Sequence, residues 1–78
     1  MQRTAVAESS SLSAISYDAS RGLLDVEFRS GGIYRYYNVS GADHAALLAA
    51  KSKGQHFNTN IRNCFPHQNL RKPFSQPK

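Results

Sequence analysis

Apolar and polar residues alternate most plainly over residues 24–29, where Leu24, Val26 and Phe28 interleave with Asp25, Glu27 and Arg29. A period of two is that of an antiparallel strand with one buried and one wet face. Ser30-Gly31-Gly32 reads as a tight turn, and residues 33–39 are rich in aromatic and β-branched side chains, so a second strand returns beside the first. The length of the turn decides which tyrosines are buried. A three-residue loop over 30–32 pairs Phe28 with Tyr34, Val26 with Tyr36 and Glu27 with Arg35. Both tyrosines then share the apolar face, and unlike charges oppose each other on the wet face. A two-residue Gly31-Gly32 loop would set Arg35 opposite Phe28, with its charge on the apolar face. The first register is therefore expected, with a glycine in the left-handed position.

Upstream, over residues 10–17, Leu12 and Ala14 alternate in one phase and Ile15 and Tyr17 in the other. Either a bulge interrupts a strand near Ala14-Ile15 or one end of that strand lies elsewhere. Residues 18–22 are turn formers, with Gly22 suited to a positive φ. Residues 1–8 lack periodicity and read as a flexible lead-in.

Downstream the period lengthens. Ser40 stands three residues before Asp43, a weaker relative of the Ser-x-x-Glu capping box, and residues 42–50 are nearly all helix formers. Leu47, Leu48 and small alanines give an inward stripe. Lys51 and Lys53 would complement the C-terminal end of the dipole, and Gly54 would end the helix. A second helix is expected from about Gln55 to Cys64, carrying Phe57, Ile61, Cys64 and Phe65 inward and stopped by Pro66. The remainder, with Pro73 and Pro77, reads as an arm or disordered tail. The expected fold is α+β: a three-stranded antiparallel meander with two C-terminal helices packed on one face, in the order β-β-β-α-α. The domain would span 9–70, with a basic, Pro-containing tail at 71–78.

Composition narrows the chemistry. Seventy-eight residues make one small domain with a thin core, poorly suited to a deep catalytic cleft. A single cysteine, Cys64, excludes an internal disulfide framework. No stretch is long and apolar enough for a membrane span, and the first residues do not make a secretory signal, so a soluble cytoplasmic protein is expected. Cys64 and His67 have a Cys-x2-His spacing, but His56 would lie roughly 12 Å from Cys64 along one helix, too far to share a zinc ion. No metal, cofactor or membrane partner is expected, and Cys64 reads as a small core side chain with the histidines on the surface. No nucleophile–base pair, paired hydrolytic carboxylates or phosphate-binding loop occurs, so an enzyme is not expected.

Ten Lys and Arg against five Asp and Glu give a net +5. The excess is not spread evenly. Residues 1–50 hold four basic and five acidic side chains, a net −1, whereas residues 51–78 hold six basic ones and no acid, a net +6. Lys51, Lys53, Arg62, Arg71 and Lys72 are candidates for RNA phosphate contacts, with Gln55, Asn58, Asn60 and Asn63 adding hydrogen bonds. Arg35 and Tyr37, on the open sheet face, are candidates for base contacts. Tyr34 and Tyr36 read as core. The plainer alternative is that such a Lys/Arg set is only a solvated face.

The run from Ser9 to about Leu70 resembles the KTSC domain, a short module found at the C-terminus of some lysyl-tRNA synthetases and also alone in bacterial proteins. The likeness rests on Ser9-Ser10, Ile15-Ser16-Tyr17-Asp18, Leu24-Asp25-Val26-Glu27-Phe28 and Ser30-Gly31-Gly32-Ile33-Tyr34-Arg35-Tyr36. It continues through Asn38-Val39, Ala50-Lys51-Ser52-Lys53-Gly54 and Phe57-Asn58-Thr59-Asn60-Ile61-Arg62. Tyr34-Arg35-Tyr36 matches the family's central Tyr-x-Tyr motif. The resemblance implies a stand-alone module with no catalytic residues to carry over and with RNA binding as the suggested activity. The rival expectation is a protein-interaction module using a sheet edge or the open face, where Leu23, Ile33, Tyr37 and Val39 would form an apolar patch.

Overall fold

A computed structural model describes residues 2–7 and 9–72. Its elements are β1 (Gln2–Ala5), β2 (Leu12–Asp18), β3 (Leu23–Phe28), β4 (Ile33–Tyr36), α1 (Gly41–Ala49), α2 (Lys53–Asn60) and β5 (His67–Arg71). All five strands form one antiparallel sheet in the order β1-β2-β3-β4-β5. The expected three-stranded meander is thus corrected to five strands, and the order to β-β-β-β-α-α-β. Both additions are polar edge strands. Residues of the expected lead-in pair with β2, and residues of the expected arm pair with β4. Backbone hydrogen bonds hold them, with little apolar burial, which is why no hydrophobic alternation announces them. The tail residues 73–78 lie outside the described residues.

The register sorts the side chains onto two faces. Ile15–Val26–Tyr34 and Tyr17–Leu24–Tyr36 form rows on one face, while Ala14–Glu27–Ile33 and Ser16–Asp25–Arg35 form rows on the other. Both helices cover the first face. Leu47 from α1 and Phe57 from α2 join Ile61, Leu12, Ile15, Leu24, Val26, Tyr36 and Val39 in one buried cluster. The register of β2 shifts between Leu12 and Ala14, which accounts for its two hydrophobic phases.

The β3–β4 hairpin closes one residue earlier than expected. Phe28 donates its N–H to the Gly32 carbonyl at 2.8 Å, so the loop is Arg29-Ser30-Gly31, with Gly31 at φ 98° as its last residue. Tyr34 therefore opposes Val26, Tyr36 opposes Leu24, and Arg35 opposes Asp25 instead of Glu27. The slip moves every partner by two positions, so the faces keep their identity. At the β2–β3 turn Gly22 takes φ 66°, and a Cβ there would lie 3.3 Å from the Val39 carbonyl oxygen.

The helix boundary also moves. Ser40 caps α1 by accepting from the Asp43 N–H, but α1 stops at Ala49. Ser52 then caps α2, accepting from the Gln55 N–H. Gly54 is a buried residue inside α2, not a terminator. A Cβ on Gly54 would stand 2.9 Å from Ser11 Oγ and 3.2 Å from Ser9 Oγ, so glycine allows α2 to lie against the segment before β2. Cys64 is exposed, against the expected core position, because α2 has already ended. His44 is buried, against its expected place on the surface, and its ring stacks on Tyr17 at 4.3 Å between centroids.

Candidate functional site

The sheet presents two chemically different surfaces. On the face away from the helices, charged residues are paired across strands. Arg35 donates from Nε and Nη2 to the two Asp25 carboxylate oxygens at 2.8 and 2.9 Å, and Arg3 Nε lies 3.2 Å from a Glu27 oxygen. Tyr37 donates its hydroxyl to Gln68 at 2.7 Å. Val39, expected to add to an apolar patch here, is buried in the core instead, and its carbonyl accepts from the Tyr17 hydroxyl at 2.7 Å. Arg35 and Tyr37 are therefore bonded to neighbours, and this face has carboxylates among its cations.

On the helix-bearing face, α2 is too short to cover the whole sheet. Beyond its C-terminal end lies a cleft of about 470 Å³ lined by Phe28, Ser30, Tyr34, Tyr36, Arg62, Asn63 and His67. Tyr34 and Tyr36 come from β4 at alternate positions and so project to the same side. Tyr36 is only 3% exposed, and Tyr34 is half-buried. Both rings are met edge-on by phenylalanines. Phe57 meets Tyr36 edge-on at 5.4 Å, and Phe28 meets Tyr34 edge-on at 5.6 Å. His67, brought in by the pairing of β5 with Tyr36, tilts against Tyr36 at 5.2 Å and Tyr34 at 5.9 Å.

The polar rim comes from the turn after α2. The Arg62 and Ile61 amides both donate to the Phe57 carbonyl, which closes the helix and sets Arg62 and Asn63 over the sheet. Burial pushes the Tyr36 hydroxyl above its ordinary pKa, while the positive charge of Arg62 pulls against that rise. Arg62 is thus close enough to act on the cleft floor electrostatically. None of the seven lining residues is acidic. The cleft offers ring faces, a guanidinium, an amide and a hydroxyl.

The other basic candidates are dispersed. Lys51 and Lys53 stand at the opposite end of α2 from Arg62, with the roughly 12 Å length of the helix between. Lys51 is exposed beside a shallow hollow lined by Ser52, Gln55, His56, Thr59 and Asn60. Arg71 pairs with Ile33 on the sheet's other face, near Glu27 and Arg29. Lys72 follows as an exposed residue beyond β5. Arg62 is the member of the set that lines the aromatic cleft.

Tyr34 and Tyr36 serve as core on one side and cleft floor on the other, a double role that periodicity alone does not distinguish. The sequence pattern does not reveal His67 as a site residue, because β5 lacks hydrophobic alternation and reads as tail. A signal for it existed: β4 is half-buried and aromatic, and as an edge strand it would have left its outer N–H and C=O groups unpaired. Among the described residues, no group of three or more His, Cys, Asp or Glu side chains is placed to hold a metal ion. No helix among them is long and apolar enough to cross a membrane.

The KTSC domain profile matches residues 8–65. An uncharacterised protein of Stutzerimonas stutzeri is 48% identical over 58 residues, covering 74% of this chain and 80% of that protein. A lysine–tRNA ligase of Nostoc punctiforme is 38% identical over 63 residues, which cover 81% of this chain but only 11% of the ligase. Among solved structures, the crystal structure of a KTSC domain protein from Yersinia pestis superposes with a TM-score of 0.83 at 33% identity, covering 88% of this chain and 96% of that one. On sequence and fold together, the chain belongs to the KTSC domain family.

Proposed function

We propose that this domain is a non-catalytic, cytoplasmic RNA-binding module that engages RNA at the cleft beyond the C-terminal end of α2. One observation supports this above the rest: the lining joins Phe28, Tyr34, Tyr36 and His67 to Arg62 with no carboxylate among them. RNA needs a cation for its phosphates and flat rings for its bases, and a carboxylate at the same spot would repel it. The sheet's other face lacks that combination, because Asp25 holds Arg35 and Glu27 holds Arg3. Arg62 takes phosphate in this reading, and the rings of Tyr34 and His67, above the packed Tyr36, take over the base contact that Arg35 and Tyr37 were expected to make. Lys51 and Lys53, at the other end of α2, and Lys72, beyond β5, take further phosphates outside the cleft in this reading. The likeness to part of a lysine–tRNA ligase, a protein with tRNA in its name, points the same way.

The test is anisotropy titration with mixed single-stranded and structured RNA at about 50 and 200 mM salt. Four phosphate contacts on a single strand predict a loss of roughly 50-fold in affinity over that range. Arg62→Ala should weaken binding and flatten the salt dependence while the far-UV spectrum stays native. No binding at the lower salt, or affinity indifferent to salt, overturns the reading. A second reading rests on the strand order, which places β1 and β5 at the sheet's two edges, where a protein partner's strand can add. Partners captured equally with and without nuclease treatment would favour it.

A further inference from the structure

We infer that the cleft accepts one unstacked base from an unpaired stretch of RNA, with an adjacent phosphate on Arg62, and that base-paired RNA does not enter it. This deepens the RNA-binding reading and rests on it. A volume of about 470 Å³ is that of a site for one small ligand, in the usual range of roughly 300–1,000 Å³. The rings at its floor are recessed among β3, β4, β5 and the turn after α2, so a base must leave its stack to reach them. In an A-form helix the base faces are covered by their neighbours, and the deep major groove hides the base edges. A splayed base presents both.

The rings are also ready to receive it. Tyr36 is fixed by Phe57 and Tyr34 by Phe28, each edge-on, so their orientation does not depend on a ligand. Tyr36, only 3% exposed, is packed floor, and the accessible ring is that of Tyr34, which His67 meets at a tilt of 52° and 5.9 Å, so it does not cover that ring in a parallel stack. The Asn63 amide and Ser30 hydroxyl at the rim supply donors and acceptors for a base edge.

The experiment compares three probes at 50 mM salt: a short single-stranded RNA, the same backbone with its bases removed, and the same RNA annealed to its complement. The intact single strand should bind at least about fivefold more tightly than either of the others, since one base stacked on an aromatic ring is worth that much or more. Tyr34→Leu, checked for native folding, should abolish the preference for the base-bearing strand and leave the salt dependence in place. If the abasic strand or the duplex binds as tightly as the intact single strand, this inference is overturned and RNA binding stands. If none of the three binds, the RNA-binding reading fails and this inference fails with it.

Discussion

Phe57 joins stability to the site, and its removal has a calculable consequence. Its side chain is 2% exposed and meets two aromatic rings edge-on, Tyr36 at 5.4 Å and Phe28 at 5.6 Å. Truncating a buried Phe to Ala costs about 3–5 kcal/mol through lost burial and the cavity left behind. Two edge-to-face pairs account for about 1–3 kcal/mol of that. Phe57→Leu, which keeps most of the apolar volume but loses the ring edges, should therefore cost about 1–3 kcal/mol. A domain of this size is stable by roughly 4–12 kcal/mol, so Phe57→Ala removes a large share. With a urea m-value near 1 kcal/mol/M for so short a chain, the midpoint should fall by about 3 M or more for Phe57→Ala. Urea titration followed by far-UV circular dichroism reads this directly. A shift below about 1 M for Phe57→Ala, or equal shifts for Ala and Leu, would show that the aromatic cluster does not hold the cleft floor as described.

Three further outcomes follow from the same structure. Arg35→Ala leaves the largely buried Asp25 carboxylate without its bidentate partner and should destabilise by about 1–3 kcal/mol, while the Arg35→Ala/Asp25→Ala double variant should recover part of the loss in thermal melts. Burial pushes the His44 imidazole below its ordinary pKa, and its Nε2 is buried with no hydrogen-bond partner among the described residues. The unfolded chain then binds the proton more tightly, so this stability is complete above about pH 6.5 and is lost as pH falls from there toward the lower native value. His44→Phe should flatten the dependence of melting temperature on pH between 7.5 and 5.5, and an unchanged slope would refute the assignment. Gly41→Ala and Gly54→Ala should move in opposite directions by chemical denaturation. A Cβ at Gly41 meets nothing within 4 Å and should stabilise by up to about 1 kcal/mol, whereas one at Gly54 crowds Ser11 and Ser9 and should destabilise.

What was legible in the sequence follows burial. The central strands announce themselves because Leu24, Val26, Ile15 and Tyr17 alternate with the polar Asp25, Glu27, Ser16 and Asp18. The hairpin register differs from the expected one while the faces agree, since a loop moved by one residue shifts the pairing by two. The edges were illegible for the opposite reason. Gln2–Ala5 and His67–Arg71 are mostly exposed, so backbone hydrogen bonds form them without a hydrophobic pattern. The start of α2 did leave a signal, Ser52-Lys53-Gly54-Gln55, a Ser-x-x-Gln capping sequence that the more familiar reading of Gly54 as a terminator obscured. The charge asymmetry pointed to the C-terminal segment. Only the fold separates Arg62, over the aromatic cleft, from Arg71 on the far face of the sheet.

The central claim concerns where RNA sits, and amide chemical-shift mapping of the labelled domain during titration with a short single-stranded RNA tests it most directly. Saturable shifts concentrated at Ser30, Tyr34, Tyr36, Arg62, Asn63 and His67, and weakened at about 200 mM salt, are the predicted result. Shifts confined to the face bearing Arg3, Asp25 and Arg35, or no shifts at any of the cleft residues, would contradict it.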